Sequence, residues 1–419
     1  MNSTPFNKIK LQYNQYSYFV FILTVFFLLF FIIQNINNRF WLHDYEVYYS
    51  AATSFIKGNQ LYGIAFGLPS GFYKYSPFGL LIFAPATLLP FPIAKFFHFI
   101  ILSVAIIYSI ILTEKIIRKY ILTDKNINLL NFKLGLVFMI SLSILYRELH
   151  LGNINIILLL ISIIALQMLL DKKEIIAGIL LSFVILLKPH FIILIPLLLM
   201  RKKYYCTVIV LISIFIGLLL PSLFVGLHGN LILHDQWLNA MMIHNESLID
   251  GHDTIYSWIY FSIVHFFYPE AINHDKIYGI IILSLIAVSI FSLILLHFKK
   301  EKSDNYNIRL MENNFIFEFF LLLSLIPNIT ITDTEHFLFS IPLIIYLIYC
   351  FSVRKLNLIM KIFIFLALIS FGINIHDLVG KEFSAWLTVT GILGLSNIAI
   401  ILLSLTLHSF YLKENYQSN

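Results

Sequence analysis

Residues 41–52 read WLHDYEVYYSAA and set two carboxylates, Asp44 and Glu46, among Tyr45, Tyr48 and Tyr49, directly after an apolar run. A carboxylate so placed can accept a proton from a hydroxyl held against it. It can equally serve a helix start, because Asp44 stands where an N-cap belongs and Glu46 where the helix dipole favours an anion. Further along, RELHLGN at 147–153 and KPH at 188–190 put Arg147, His150, Lys188 and His190 at the ends of apolar runs. A cation there pairs with an anion, lines a polar cavity or snorkels to headgroups, and a phosphate is one anion that suits it. NITITDTEHFLFSIP at 328–342 adds Asp333, Glu335 and His336 before another apolar run. Beside a phosphate such a histidine can donate a proton or a hydrogen bond; elsewhere it is a satisfied interfacial side chain. His234, Asp235, His244, Glu246, His252 and Asp253 supply metal-ligand types without the spacing of a zinc signature. No metal site or cofactor is assigned, and a divalent metal is permitted but not indicated.

These groups must be positioned by a membrane-embedded bundle. Apolar residues make up 59% of the chain and charged residues 12%, with a mean hydropathy of +0.88, which excludes a soluble 419-residue domain. Runs able to cross about 30 Å of hydrocarbon recur at 17–34, 95–113, 134–149, 153–170, 175–187, 190–200, 204–227, 277–298, 314–329, 336–352, 357–375 and 386–410. The fold class expected is an all-α polytopic membrane protein of about twelve transmembrane helices. The run 175–200 reads either as one kinked span or as two short pieces split at KPH. The segment 76–91 is apolar but interrupted by Pro77, Pro85 and Pro90, and it reads as interfacial or re-entrant. Cys206 and Cys350 lie inside apolar runs and behave as small hydrophobes.

Charge then orients the chain. Most of its 28 Lys and Arg residues fall on one side, beginning with Lys8 and Lys10 and including the cluster from Lys115 to Lys133, which the positive-inside rule makes cytoplasmic for both termini. Residues 17–34 follow those lysines without a small-residue cleavage site and read as an uncleaved signal anchor. Every histidine except His297 and His408 falls on the other side, as do most carboxylates. The chemistry is therefore expected outside, in loops 35–94 and 228–276 and at the outer span ends of a single domain, 1–419. Tyr45, Tyr48, Tyr49, Ala52, Phe55 and Ile56 recur at helical spacing, so an amphipathic juxtamembrane helix over 45–57 is expected, ended by Gly58. A transporter or flippase of lipid-linked sugars or other anions would share the outer cations, but transporters place polar groups near the midplane in repeated halves, and no repeat is visible.

Five stretches, in order, resemble glycosyltransferase family 87, the polyprenyl-phosphate-mannose-dependent group with the GT-C fold. They are HDYEVYYSAATSFIKGNQLY with FYKYSPFGLLIFAP, LGNINIILLL, AGILLSFVILLKPHFIILIPLLLMRKK, HNESL and TEHFLFSIP. Departures stand at Asn153 and Glu246, where the family has Gln, at the Lys188-Pro189 pair, and at a single His336. The resemblance implies a GT-C-type bundle with a large first outer loop, and a hexose moved from a polyprenyl-phosphate donor to a glycan or glycolipid hydroxyl. It implies Asp44 as general base, with His336 and Lys188 lining the donor site. Arg147, His150, Asn153, His190, Asn245 and Glu335 would contact substrate with Glu46, and Tyr48, Tyr49 and Tyr75 could stack on a sugar ring. The implied partners are that donor, that acceptor and the bilayer, with no nucleic acid; the implied location is the cytoplasmic membrane. A surface-polysaccharide polymerase or ligase would use the same side and the same class of donor.

Overall fold

A computed structural model of the chain describes residues 15–122, 129–247, 308–329 and 333–417. Among the described residues the fold is helical throughout, relieved only by an isolated antiparallel bridge between Ala65 and Phe72. The helices are α1 (Ser17–Ile36), α2 (His43–Ile56), α3 (Pro77–Phe83), α4 (Phe91–Ile116), α5 (Leu130–Ile140), α6 (Leu142–Leu151), α7 (Asn155–Leu170), α8 (Glu174–Leu187), α9 (Leu194–Met200), α10 (Tyr204–Leu219) and α11 (Ser222–Ser247). They continue with α12 (Ile308–Ile329), α13 (Ile341–Val353), α14 (Leu358–Gly372), α15 (His376–Val379), α16 (Lys381–Val389) and α17 (Ile392–Gln417).

Among the described residues four helices are long and apolar enough to cross a membrane: Ser17–Ile36, Phe91–Leu122, Thr334–Val353 and Ile392–Phe410. Two bent pairs raise the number to six if each is one span, α5 with α6 at 63° and α10 with α11 at 90°. Length and composition thus do not reach the expected twelve. The runs 134–149 and 204–227 are each broken, and α7, α8 and α14, at 14 to 16 residues, extend only about 21–24 Å at 1.5 Å per residue. The run 277–298 lies outside the described residues. The apolar stretch after Ser76 forms a seven-residue helix and a 3-10 turn, Ala84–Leu88, too short to span and in keeping with an interfacial segment.

Helix α8 packs between α7 and α10, while α7 also packs against α4 and α14 against α17. Helix α13 runs through the middle, with Ile341 to Cys350 buried. At the far end of α4, Glu114 is fully buried and accepts hydrogen bonds from Tyr16 at 2.5 Å, Tyr349 at 2.8 Å and Arg118 at 2.7 Å, tying α1, α4 and α13 together. The aromatic start of α4 meets α2 at the opposite end, where Tyr45 and Tyr49 pack on Phe91. The two ends of α4 lie roughly 35 Å apart, so the polar groups of α2 and of Glu114 form separate clusters.

Helix α2 ends as its sequence demands, with Gly58 at φ +69°. Its start differs from expectation. Leu42 is the N-cap residue, in the left-handed region at φ 50°, and Asp44 lies inside the first turn. Asp44 is therefore not the N-cap residue, and its side chain meets Asn153 instead.

Candidate active site

Asp44 is half-buried, and its Oδ2 accepts a hydrogen bond from Asn153 Nδ2 at 2.8 Å. Asn153 Oδ1 in turn accepts from the Tyr75 hydroxyl at 3.2 Å, the Tyr48 hydroxyl at 3.3 Å and the backbone N–H of Ile154 at 2.7 Å. These bonds fix which way the Asn153 amide faces, with its N–H group toward Asp44. Local backbone explains the approach. Gly152 ends α6 at φ +70°, and a Cβ there would lie 2.7–2.8 Å from the Leu42 side chain, so glycine alone lets the two chain breaks touch. His98 Nε2 holds the Gly152 carbonyl at 2.8 Å, and the His98 ring stacks on Tyr45 at 4.0 Å, bracing the same junction from α4.

Lys188 reaches this cluster from another break. Pro189 forces the residue before it out of the helical region, and Lys188 is extended at φ −131°, ψ 99°, ending α8 and starting the 3-10 turn Pro189–Ile193. The run 175–200 therefore divides into two short pieces. The Lys188 ammonium is buried, hydrogen-bonds to Asn155 Oδ1 and His336 Nε2, the latter at 2.6 Å, and lies 5.9 Å from the centre of the Tyr75 ring. With Nε2 accepting from an ammonium, the proton of neutral His336 is on Nδ1, which faces the Asp333 carbonyl at 3.3 Å. Arg147 pairs with Glu335 at 2.9 Å and approaches Asp333 at 3.9 Å, covering a carboxylate only 2% exposed.

Several groups were not assigned a role from the sequence. Glu148 is wholly buried, accepts from Asn155 Nδ2 at 3.1 Å and Ile156 N–H at 2.8 Å, and so orients the amide that holds Lys188. A carboxylate inside an apolar helix is itself a signal of a polar site. Lys74 lies in the loop before α3, its carbonyl held by the Trp237 indole at 3.0 Å. Its ammonium is pushed below the ordinary lysine value by burial, against the pull of Asp333, Asp44 and Glu335. Burial likewise pushes the Asp44 carboxyl above the usual carboxylate range, against the pull of Lys74 and Lys188. Tyr48 and Tyr75 are raised well above the ordinary phenol value by burial, so both remain proton donors at neutral pH.

Not every predicted residue joins the cluster. Glu46 turns to His43 at 3.8 Å and abuts Gly67. Tyr49 donates to the Leu89 carbonyl at 2.8 Å. Tyr48 and Tyr75 offer hydroxyls rather than open ring faces, being buried against Phe83 and each other. His150 stacks on Tyr146 at 5.9 Å and meets Trp41 edge-on at 5.2 Å. The His190 ring lies 6.1 Å from that of His336. The side chain of Asn245 lies outside the described residues, as do His252 and Asp253. His234 contacts the Leu218 carbonyl at 3.1 Å and Asp235 the Asn239 amide at 3.4 Å. Among the described residues no three His, Cys, Asp or Glu side chains gather as a metal site.

The arrangement holds a half-buried aspartate and a buried cation on one network, bridged by Asn153 and Tyr75. Comparison with curated proteins finds no match. Residues 72–324 match glycosyltransferase family 87, a stretch that carries Lys74, Tyr75, Arg147, Glu148, Asn153 and Lys188, with Asp44 and His336 outside it. More than half of the chain lies in that match, and the chain belongs to glycosyltransferase family 87, as a membrane glycosyltransferase.

Proposed function

We propose that the protein moves a hexose, of the mannose type, from a polyprenyl-phosphate donor to a hydroxyl of a glycan or glycolipid acceptor, with inversion, on the extracytoplasmic face of the cytoplasmic membrane. The observation that supports this best is the chain of contacts from Asp44 through Asn153 and Tyr75 to Lys188, which keeps a base and a cation near each other without pairing them. In the reaction the acceptor oxygen attacks the anomeric carbon while the bond from that carbon to the phosphate oxygen breaks. The hydroxyl proton passes to Asp44, and the bonding pair leaves on the phosphate.

A carboxyl raised toward neutrality by burial is a better proton acceptor than an ordinary one. Lys188 faces the charge that grows on the phosphate, and a buried cation is worth more there than in water. His336 steers Lys188 by accepting its N–H, and a phosphate that drew Lys188 away would free Nε2 for a contact of its own. The architecture that goes with this reading is a GT-C-type bundle of about twelve crossings, with the isoprenoid tail lying against its apolar flank. The test is incubation of the purified protein with a panel of polyprenyl-phosphate hexoses and an acceptor, measuring lipid phosphate released. Acceptor-dependent release with one donor is expected; none with any donor refutes the reading.

A further inference from the structure

Trp41 carries a large aromatic surface that the proposed reaction does not yet use. Its side chain is 43% exposed, although its neighbours are packed. The indole stacks with His43 at 5.2 Å and 27°, and meets His150 at 5.2 Å and 70°. His150 is in turn backed by Tyr146. The ring is thus fixed by imidazoles rather than by the apolar side chains that surround a simple membrane-anchoring tryptophan.

Its position follows from how two chain breaks lie side by side. The link from α1 to α2 meets the end of α6 at Trp41 with His150, then Leu42 with Gly152, then Asp44 with Asn153. Trp41 and Asp44 are three residues apart, so their Cα atoms are separated by at most about 11 Å, the reach of one or two sugar rings. From Asp44 the network runs in the other direction, through Asn153 and Tyr75, to Lys188. Along this chain of contacts Asp44 stands between Lys188 and the link that carries the indole. The Nδ1 atom of His150 is buried without a hydrogen-bond partner, while that of His43 faces Glu46 Oε2 at 3.8 Å. A half-turn of the His150 ring about χ2 would present that nitrogen to a ligand hydroxyl.

We infer that Trp41, flanked by His43 and His150, is a subsite for a pyranose ring of the acceptor, which stacks on the indole while its hydroxyl reaches Asp44. This rests on the transferase reading, and it assigns the ring to the acceptor because the cation expected to hold the donor phosphate stands beyond Asp44 along those contacts. Aromatic rings prefer the apolar face of a sugar, and the His150 imidazole adds a hydrogen bond at its edge.

The test uses the full-length protein with polyprenyl-phosphate hexose and alkyl hexosides as acceptors, comparing wild type with Trp41→Ala and Trp41→Phe. Expected for Trp41→Ala is a rise in acceptor KM of about tenfold with an unchanged donor KM. Trp41→Phe, which keeps an aromatic ring, should raise the acceptor KM only about two- to threefold, and it guards against misfolding of the alanine variant. Alkyl hexoside should also shift the tryptophan fluorescence of wild type but not of Trp41→Phe. A wild-type enzyme that transfers to acceptor while Trp41→Ala keeps its acceptor KM overturns the subsite alone and leaves Trp41 as a membrane anchor. A changed donor KM moves the pyranose to the donor and overturns the acceptor assignment. No acceptor-dependent release by wild type overturns the transferase reading together with the subsite.

Discussion

Replacing Asp44 by asparagine separates catalysis from structure because the local geometry accepts the change. Asn153 Nδ2 donates to Asp44 Oδ2 at 2.8 Å, and the side-chain carbonyl of the introduced asparagine can accept the same bond. Turning a charge-assisted bond into a neutral one forfeits about 1 kcal/mol, and the variant no longer buries a charge, so the two effects nearly offset. The chemistry does not survive in the same way: without a base the rate should fall about 10²–10⁴-fold, equivalent to roughly 3–5 kcal/mol of barrier. The pH dependence follows in sign. Burial raises the folded carboxyl above its ordinary value of 3.8, so ionising it opposes folding. Wild-type stability then declines as pH climbs from the ordinary value to the raised one and is level above it, and Asp44→Asn lacks that decline. Activity runs the other way, rising with pH through the raised value as the base loses its proton. The measurements are release of lipid phosphate against pH and thermal melting in detergent. Wild-type turnover by Asp44→Asn, or an acid limb in the ordinary carboxylate range, would refute the assignment.

Lys188→Met keeps bulk but removes the ammonium that contacts Asn155 and His336. The donor KM should rise about 10–100-fold, as expected for a charge-assisted contact of roughly 1.5–3 kcal/mol; an unchanged donor KM argues against a phosphate role. Gly152→Ala puts a methyl group 2.7–2.8 Å from Leu42 at φ +70°, combining about 1–2 kcal/mol of left-handed backbone cost with about 1–3 kcal/mol of overpacking. A lower melting temperature and a lower kcat are expected, and an unshifted melting curve would contradict the contact. Glu148→Gln leaves one acceptor for two donors, Asn155 Nδ2 and Ile156 N–H; it should cost about 1–3 kcal/mol of stability and raise the donor KM by loosening Asn155, and it fails as a test of positioning if only stability changes.

The sequence was most legible where a residue has one physical solution. Gly58 ends α2 because a left-handed residue was needed, and Pro189 splits 175–200 because the residue before proline leaves the helix. Lys188, the residue before that proline, stood out in the sequence as a cation at the end of an apolar run, and the structure buries it. The start of α2 was harder: Leu42 adopts a positive φ at an apolar side chain, a conformation that only the fit of Leu42 over Gly152 rewards, and sequence periodicity carries no trace of that contact. Glu148 was passed over because its partners, the Asn155 amide and the Ile156 backbone N–H, lie seven and eight residues on and are not an obvious countercharge. Glu46 and Tyr49 share a helix with Asp44 but project elsewhere, since residues two and five apart do not share one helical face. The bends themselves were invisible to span counting, because hydropathy averages across Ser141 and Leu220 without sensing a 63° or a 90° bend.

Those hidden breaks and the site have one cause. Asp44 follows the break at Leu42, Asn153 the break at Gly152, Lys188 sits in the break before Pro189, and Asp333 and His336 lie where α12 has ended and α13 has not begun. In a bundle surrounded by lipid, backbone groups released from a helix are tolerated only where protein or a polar cavity satisfies them. Four breaks therefore gain by meeting: His98 takes the Gly152 carbonyl, Ser76 donates to the Leu186 carbonyl at 2.5 Å, and Asn153 accepts from the Ile154 N–H. The same meeting brings together the side chains flanking each break, which are the polar ones because only there can they be solvated. A continuous set of long helices would have been easier to count from the sequence, but it would have left Asp44 and Lys188 with no common place to stand.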